Sequence, residues 1–273
     1  MRHCQDAQWP GTRGLDRLSV AELDTKALAM SIDDLNYHLE KMSGTRLEVV
    51  LTDDPAQVRP PAIVVGTLAN TMGAVPTLQP DPSMEAFRLK VDGGLVRIGG
   101  AGDFGASHGI YALLDTLGCA WIMPGPEGEV IPASANVTIP EMDVQETPSF
   151  TFRRFPYDER PSEEQWHDLI VWLLRHKANF PLGPRRYGFR AGGHAWSGII
   201  RRFKQEFEAD PTMLALRRRP DGSLERGGWQ LETTHPRVIE LAIEYIRQTF
   251  ASNGWSNDAE VCIGMGPSDG GAL

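Results

Sequence analysis

The sequence has little of what marks most specialised protein classes. It holds three cysteines, Cys4, Cys119 and Cys262, far apart and in no C-x-x-C arrangement. That spacing supplies neither a disulfide framework nor a zinc site; Cys119 and Cys262 lie in apolar runs and read as small core residues. No apolar stretch approaches the roughly 18 residues of a membrane helix. The longest compact run, 169–174, belongs to an amphipathic helix, so no membrane span is expected. Basic charge is not in excess: 27 Lys and Arg stand against 36 Asp and Glu, for a formal charge of −9. An acidic chain repels phosphate backbones. The basic clusters at Arg153-Arg154, Arg185-Arg186, Arg201-Arg202 and Arg217 to Arg219 mostly have acidic neighbours and read as solvated surface, so no nucleic-acid partner is expected. H-E-x-x-H, G-x-S-x-G and P-loop motifs are missing, and nothing calls for a metal or a cofactor. The first 18 residues carry no apolar core of a signal peptide and no periodicity; they read as an unstructured leader.

Glycine (28) and proline (20) are plentiful, which favours many turns over a helical bundle. Ser19 and Glu22 form an S-x-x-E capping box. Leu28, Ile32, Leu35, Leu39 and Met42 follow at helical spacing and Gly44 supplies a stop, which predicts a helix over 20–43. Strands are expected at 47–52 and 62–66. A hairpin is expected at 87–91 and 95–99 around Asp92-Gly93-Gly94. A helix at 106–117 and strands at 119–123 and 137–139 complete a small α+β layer closing near Pro148.

From Phe150 the pattern changes. A strand at 150–155 leads to a helix whose stripe is Trp166, Leu169, Ile170, Leu173, Leu174 and Lys177. A Gly- and Arg-rich loop, 183–193, follows. A second helix starts near Pro236 with the stripe Ile239, Ala242, Ile243, Ile246 and Phe250. A strand at 260–264 ends the series. Strand, helix, loop, helix, strand reads as the opening of a βα-barrel, of which a complete copy needs about 250 residues. The expected class is α/β. Residues 19–148 form the N-terminal α/β domain, and 149–273 form the first part of a truncated TIM-like barrel.

Three motifs bear on function. Gly100-Ala-Gly102-Asp-Phe-Gly105 fits G-x-G-x-x-G between a strand and a helix. The strand before it is a hairpin arm, however, and no acidic residue ends the next strand at Ile122-Met123-Pro124. The motif is therefore read as a turn that lets a helix pack closely on a sheet. His194 and Trp196 follow Ala191-Gly192-Gly193: a histidine can bond a sugar hydroxyl and an indole can stack on a pyranose. A core tryptophan beside a bonded histidine is the alternative. Ser268-Asp269-Gly270 sits just past the last strand, where barrel enzymes collect function; Asp269 is either a sugar contact or a helix cap. Asp158, Glu159, Glu163 and Glu164 read as loop charge and first-turn dipole partners. Gln230, Glu232 and His235 suit either a site or a cap.

These segments resemble a known family. LEKMSGTRLEVV, AIVVG, EAFRLKVDGGLVRIGGAGDFGASHGIYALLDTLGCAWIMPG and IPEMDVQETPSFTFR resemble the small α/β domain that precedes the barrel in bacterial β-hexosaminidases and α-glucuronidases. GGHAWSGII, FEADPTMLAL, QLETTHPRVIELAIEYIRQTF and VCIGMGPSDGG resemble a bacterial family of unknown function with that domain and a glycosidase-like barrel. The resemblance implies a carbohydrate partner, oligo- or polysaccharide, and glycoside-hydrolase-like chemistry in a longer parent. A non-catalytic carbohydrate-binding or scaffolding protein is the alternative. Related glycosidases carry their catalytic carboxylates on later barrel strands, so this chain is expected to be an inactive fragment with no catalytic residue assigned. Members of the family are often exported and continue beyond Ser-Asp-Gly; this chain shows no export signal and ends at Leu273.

Overall fold

A computed structural model describes residues 19–78, 84–150, 153, 162–179, 189–191, 194–255 and 262–268. It is mixed α/β and divides into two compact units, 1–183 and 184–273. Among the described residues no helix is long and apolar enough to cross a membrane.

The first unit opens with α1 (Val20–Ser43). The Ser19 hydroxyl accepts from the Glu22 amide at 3.2 Å and the Glu22 carboxylate accepts from the Ser19 amide at 2.7 Å, closing the expected capping box. Gly44 ends the helix in the left-handed region, φ 76°. Next come β1 (Ala62–Val65), β2 (Phe87–Asp92) and β3 (Leu95–Gly100). The β2–β3 turn has Gly93 at φ 56° and Gly94 at φ 77°, the two positive values a type I′ hairpin requires. Then follow α2 (Asp103–Thr116), β4 (Ala120–Trp121), β5 (Glu129–Val130), β6 (Met142–Glu146) and α3 (Glu163–Arg175).

The main sheet has the order β1-β3-β2-β6. β1 runs parallel to β3, and β2 is antiparallel to both β3 and β6. Alternation buries Phe87, Leu89, Val91, Val96 and Ile98 on one face and leaves Arg88, Lys90 and Arg97 partly exposed on the other. Helix α2 is buried continuously from Phe104 to Leu114; a helix buried all round must be covered on several sides. It packs on β2 and β3 and also against α1 and α3. Two of its residues, Gly105 and Gly109, allow the close approach to the sheet. A Cβ on Gly105 would lie 2.3 Å from the Ala86 carbonyl oxygen, and one on Gly109 would lie 2.5 Å from Ile98 Cγ2.

Several expectations need correction. Residues 47–52 form no strand, and neither do 137–139; the last sheet strand is β6, a few residues on. The strand expected at 119–123 shrinks to β4, paired only with β5. Helix α2 starts at Asp103, with Gly102 as its N-cap. Of the strand expected at 150–155, only Phe150 and Arg153 are among the described residues. The domain boundary read at 148/149 also differs from the observed division. Helix α3 belongs with the first unit because its stripe, Trp166, Ile170, Leu173 and Leu174, joins the buried core of α1 and α2. Each such side chain contributes at most about 1.5–3 kcal/mol.

The second unit contains β7 (Phe189–Ala191), α4 (Trp196–Arg202), α5 (Lys204–Ala209), β8 (Leu214–Arg218), β9 (Leu224–Leu231), α6 (Pro236–Asn253) and β10 (Cys262–Ile263). β7 and β10 are parallel neighbours, which demands a crossover connection; α4, α5, the β8–β9 hairpin and α6 make it. Ile199, Phe207, Met213, Leu231, Val238 and Leu241 form the core. The face of α6 turned to that core carries Val238, Leu241, Ala242 and Tyr245, while Ile239 and Ile243 of the expected stripe are exposed. Pro220-Asp221-Gly222 at the tip of the β8–β9 hairpin is strong turn chemistry.

Candidate functional site

In the second unit, the segments leaving β7 and β10 are tied together. His194 and Gly266 form a parallel bridge, and the Ala195 amide donates to the Gly266 carbonyl at 3.1 Å. His194 Nδ1 donates to the Pro267 carbonyl at 2.5 Å, so Nε2 is the acceptor nitrogen of the neutral ring. The Trp196 indole N–H donates to the Met265 carbonyl at 3.1 Å. The Ser268 hydroxyl accepts from the Ser197 amide at 3.1 Å, and the Gln230 side-chain amide donates to the Ser268 carbonyl.

His194 is exposed and Trp196 half-buried, with Trp196 also packed against the unit's core. The structure therefore brings His194 and Trp196 together beside residues 265–268, at the carboxyl ends of two parallel strands. Asp269 lies outside the described residues. Gln230, in β9, and Ser268, both among the residues noted in the sequence, join the cluster. Two of the remaining candidates, His235 and Glu232, have structural partners. His235 caps α6 by accepting the Arg237 amide at 3.2 Å. The Glu232 carboxylate accepts from the Thr234 hydroxyl at 2.7 Å and faces Arg226 at 3.3 Å; these bonds hold its carboxyl below the usual range. Glu163 and Glu164 stand in the first turn of α3. Asp158 and Glu159 lie outside the described residues.

The first unit offers a polar network with a cleft beside it. Arg175 grips Asp34 through two bonds of 2.8 Å and reaches Glu129 at 2.8 Å, while Tyr37 donates to Glu129 at 2.9 Å. Burial pushes the Asp34 carboxyl up, but the bonds from Arg175 and His38 outweigh it and hold the group below the usual range. The cleft, about 330 Å³, is lined by Asp115, Cys119, Trp121, Ile122, Arg175, His176 and Lys177, among others. Burial, aided by Asp34 and Asp115, pushes the Cys119 thiol up to about 11, which leaves it a poor nucleophile. Arg175 is ion-paired with Asp34 and Glu129, and Lys177 with Asp115 and Glu146. The walls thus carry no uncompensated cation for an anionic ligand. No cluster able to hold a metal ion occurs among the described residues.

The glycine fingerprint is filled by the protein itself. A Cβ on Gly100 would meet the Ala106 amide nitrogen at 2.2 Å, and Met84 stands 3.3 Å from the corresponding point on Gly102. Comparisons with protein-family models, with curated proteins and with solved structures each returned no match.

Proposed function

We propose that the chain belongs to a carbohydrate-processing protein of glycoside-hydrolase type. In this reading a hexosaminidase-like α/β domain is followed by the opening of a βα-barrel. The share of the activity carried here is sugar contact at the carboxyl ends of β7 and β10. The observation that supports the reading is the joining of His194 and Trp196 to residues 265–268 just beyond two parallel strands. Function in βα folds gathers at that end. Trp196 would offer an indole face, His194 Nε2 would accept from a hydroxyl, and Asp269 would accept from another.

Hydrolysis of a glycoside takes two carboxyl groups. The proposed site names one carboxylate, Asp269, and the second reading is a carbohydrate-binding protein without hydrolysis. Isothermal titration of the full chain with hexosamine- and uronate-containing oligosaccharides tests both. Saturable binding weakened by His194→Ala, and by about 1–3 kcal/mol in Trp196→Ala, supports the site. Trp196→Phe, which keeps an aromatic face, should retain most of the affinity. No binding to any of these sugars, or binding indifferent to all three substitutions, sinks it. Release of reducing sugar separates the hydrolase from the binder.

A further inference from the structure

Residues 45–51, Thr-Arg-Leu-Glu-Val-Val-Leu, have the apolar, β-branched character of a strand but no strand partner among the described residues. The run continues to residue 54 without a turn or bend. Leu47, Val49, Val50 and Leu51 are 44%, 44%, 65% and 90% exposed. Four exposed apolar side chains within five residues of one segment are a liability unless something covers them.

The buried Asn36 of α1 sets how this edge is presented. Its side-chain amide donates to the Leu47 carbonyl at 2.8 Å, and its carbonyl accepts from the Leu47 amide at 2.8 Å. Both polar groups of one residue point the same way only in an extended backbone, and those of its two neighbours then point the opposite way. Leu47 therefore turns its N–H and C=O inward, and Arg46 and Glu48 turn theirs outward. The backbone groups of Arg46 and Glu48 have no partner among the described residues.

We propose that this edge pairs with the same edge of a second copy of the chain. The pairing is antiparallel about a two-fold axis at Leu47. In that register Arg46 of each copy stands opposite Glu48 of the other, in hydrogen-bonded positions, and Leu47 faces Leu47 across the axis. The charge pattern selects it. A register centred on Glu48 would set like charges face to face, and one centred on Val49 would set each Glu48 against Val50. Residue 47 is also the position whose own polar groups Asn36 has already satisfied, as a non-hydrogen-bonded pair requires.

Sedimentation equilibrium of the full chain across a concentration series tests the idea. The wild type should pass from monomer to dimer. Arg46→Glu, which creates two Glu–Glu contacts across the axis besides removing the 3.0 Å Arg46–Glu40 bond within each copy, should weaken the dimer about tenfold or more, and Arg46→Glu with Glu48→Arg should restore it. Both positions are exposed, and circular dichroism melts check that each variant folds. Leu47→Cys, with Cys4 and Cys262 replaced by serine, should form an intermolecular disulfide on mild oxidation, because facing non-hydrogen-bonded residues lie within disulfide reach. A wild type that stays monomeric, a dimer indifferent to the charge reversals, or a dimer that Leu47→Cys does not cross-link each overturns the proposal.

Discussion

The indole N–H of Trp121 donates to Nε2 of His38 at 2.9 Å across 83 residues of sequence. His38 is thereby fixed as the tautomer with its proton on Nδ1, which donates to the Asp34 carbonyl at 2.7 Å and lies 3.3 Å from the Asp34 carboxylate. Asp34 in turn receives Arg175. One chain of bonds thus joins α1, β4 and α3. The Trp121 carbonyl adds to it by accepting from both Trp172 (3.0 Å) and His176 (2.8 Å). This network, with the shared apolar core, holds α3 on the first unit.

Arg175→Met should therefore be among the most damaging single changes in the first unit. It removes the cation from two largely buried carboxylates, Asp34 and Glu129, whose side chains are 10% and 11% exposed. Breaking a buried pair from one side costs about 3–5 kcal/mol. Adding Asp34→Asn should recover part of the loss, because it removes one stranded charge. Urea unfolding of the two single variants and the double variant measures the coupling; purely additive costs would show that the pair is not a unit.

The same pair sets an acid limit. The folded-state carboxyl of Asp34 is held below its ordinary value, which for aspartate is about 3.9. Its contribution to stability is complete above that unfolded-state value. It is lost as pH falls through the lower folded-state value, because protons then bind the unfolded chain first. The stability difference between wild type and Asp34→Asn should be flat from neutral pH down to about 5 and shrink below about 4. A difference that is unchanged to the lowest pH at which the protein folds would show that Asp34 is not the titrating group.

Local chemistry was legible in the sequence, while long-range chemistry was not. Ser19 with Glu22, and Gly93 with Gly94, encode a cap and a turn within a few residues, and both form as read. Pro220-Asp221-Gly222 encodes the β8–β9 hairpin in the same local way. Residues 47–52 were read as a strand from propensity, but pairing needs a partner, and here the side chain of Asn36 occupies one edge. Arg175 and Asp34 lie 141 residues apart, so nothing near either one announces the pair. The candidate site divides likewise. His194 and Trp196 stood out beside their glycines, whereas Gln230 joins Ser268 only through the tertiary fold.

The glycine fingerprint yields a graded test. Gly105→Ala gains about 1 kcal/mol of helix propensity but drives a methyl to 2.3 Å from the Ala86 carbonyl oxygen. Overpacking of this kind costs about 1–3 kcal/mol or more, so the variant should lose stability in spite of the propensity gain. At Gly102, the N-cap, φ is −149° and a new Cβ would meet Met84 at 3.3 Å, a contact relieved by a few tenths of an ångström; with the poorer cap that alanine makes, Gly102→Ala should cost less than Gly105→Ala. Thermal melts rank the two. NAD should leave both melting temperatures where they are, since only a ligand that binds the native state raises them. A saturable NAD-dependent rise in the wild type that Gly102→Ala abolishes would reverse the packing interpretation.

Lys177 provides a test in which the usual order of substitutions inverts. It follows α3 with φ 54°, in the left-handed region where glycine is the common residue. A side chain there costs about 1 kcal/mol. Against that cost, its ammonium lies 3.4 Å from Asp115 and 3.7 Å from Glu146, and 5.7 Å from the centre of the Phe87 ring. The ion pairs are partly exposed and together contribute about 0–1 kcal/mol, and the ring contact about 0.5–1 kcal/mol. Lys177→Gly loses these contacts but also sheds the backbone strain, so it should be close to neutral. Lys177→Ala loses the same contacts and keeps the strain, so it should cost about 1 kcal/mol more than the glycine variant. In an ordinary helical position alanine would be the milder change by a similar margin. Equilibrium unfolding of the two variants side by side decides the point: alanine more stable than glycine would mean that residue 177 does not hold the left-handed conformation.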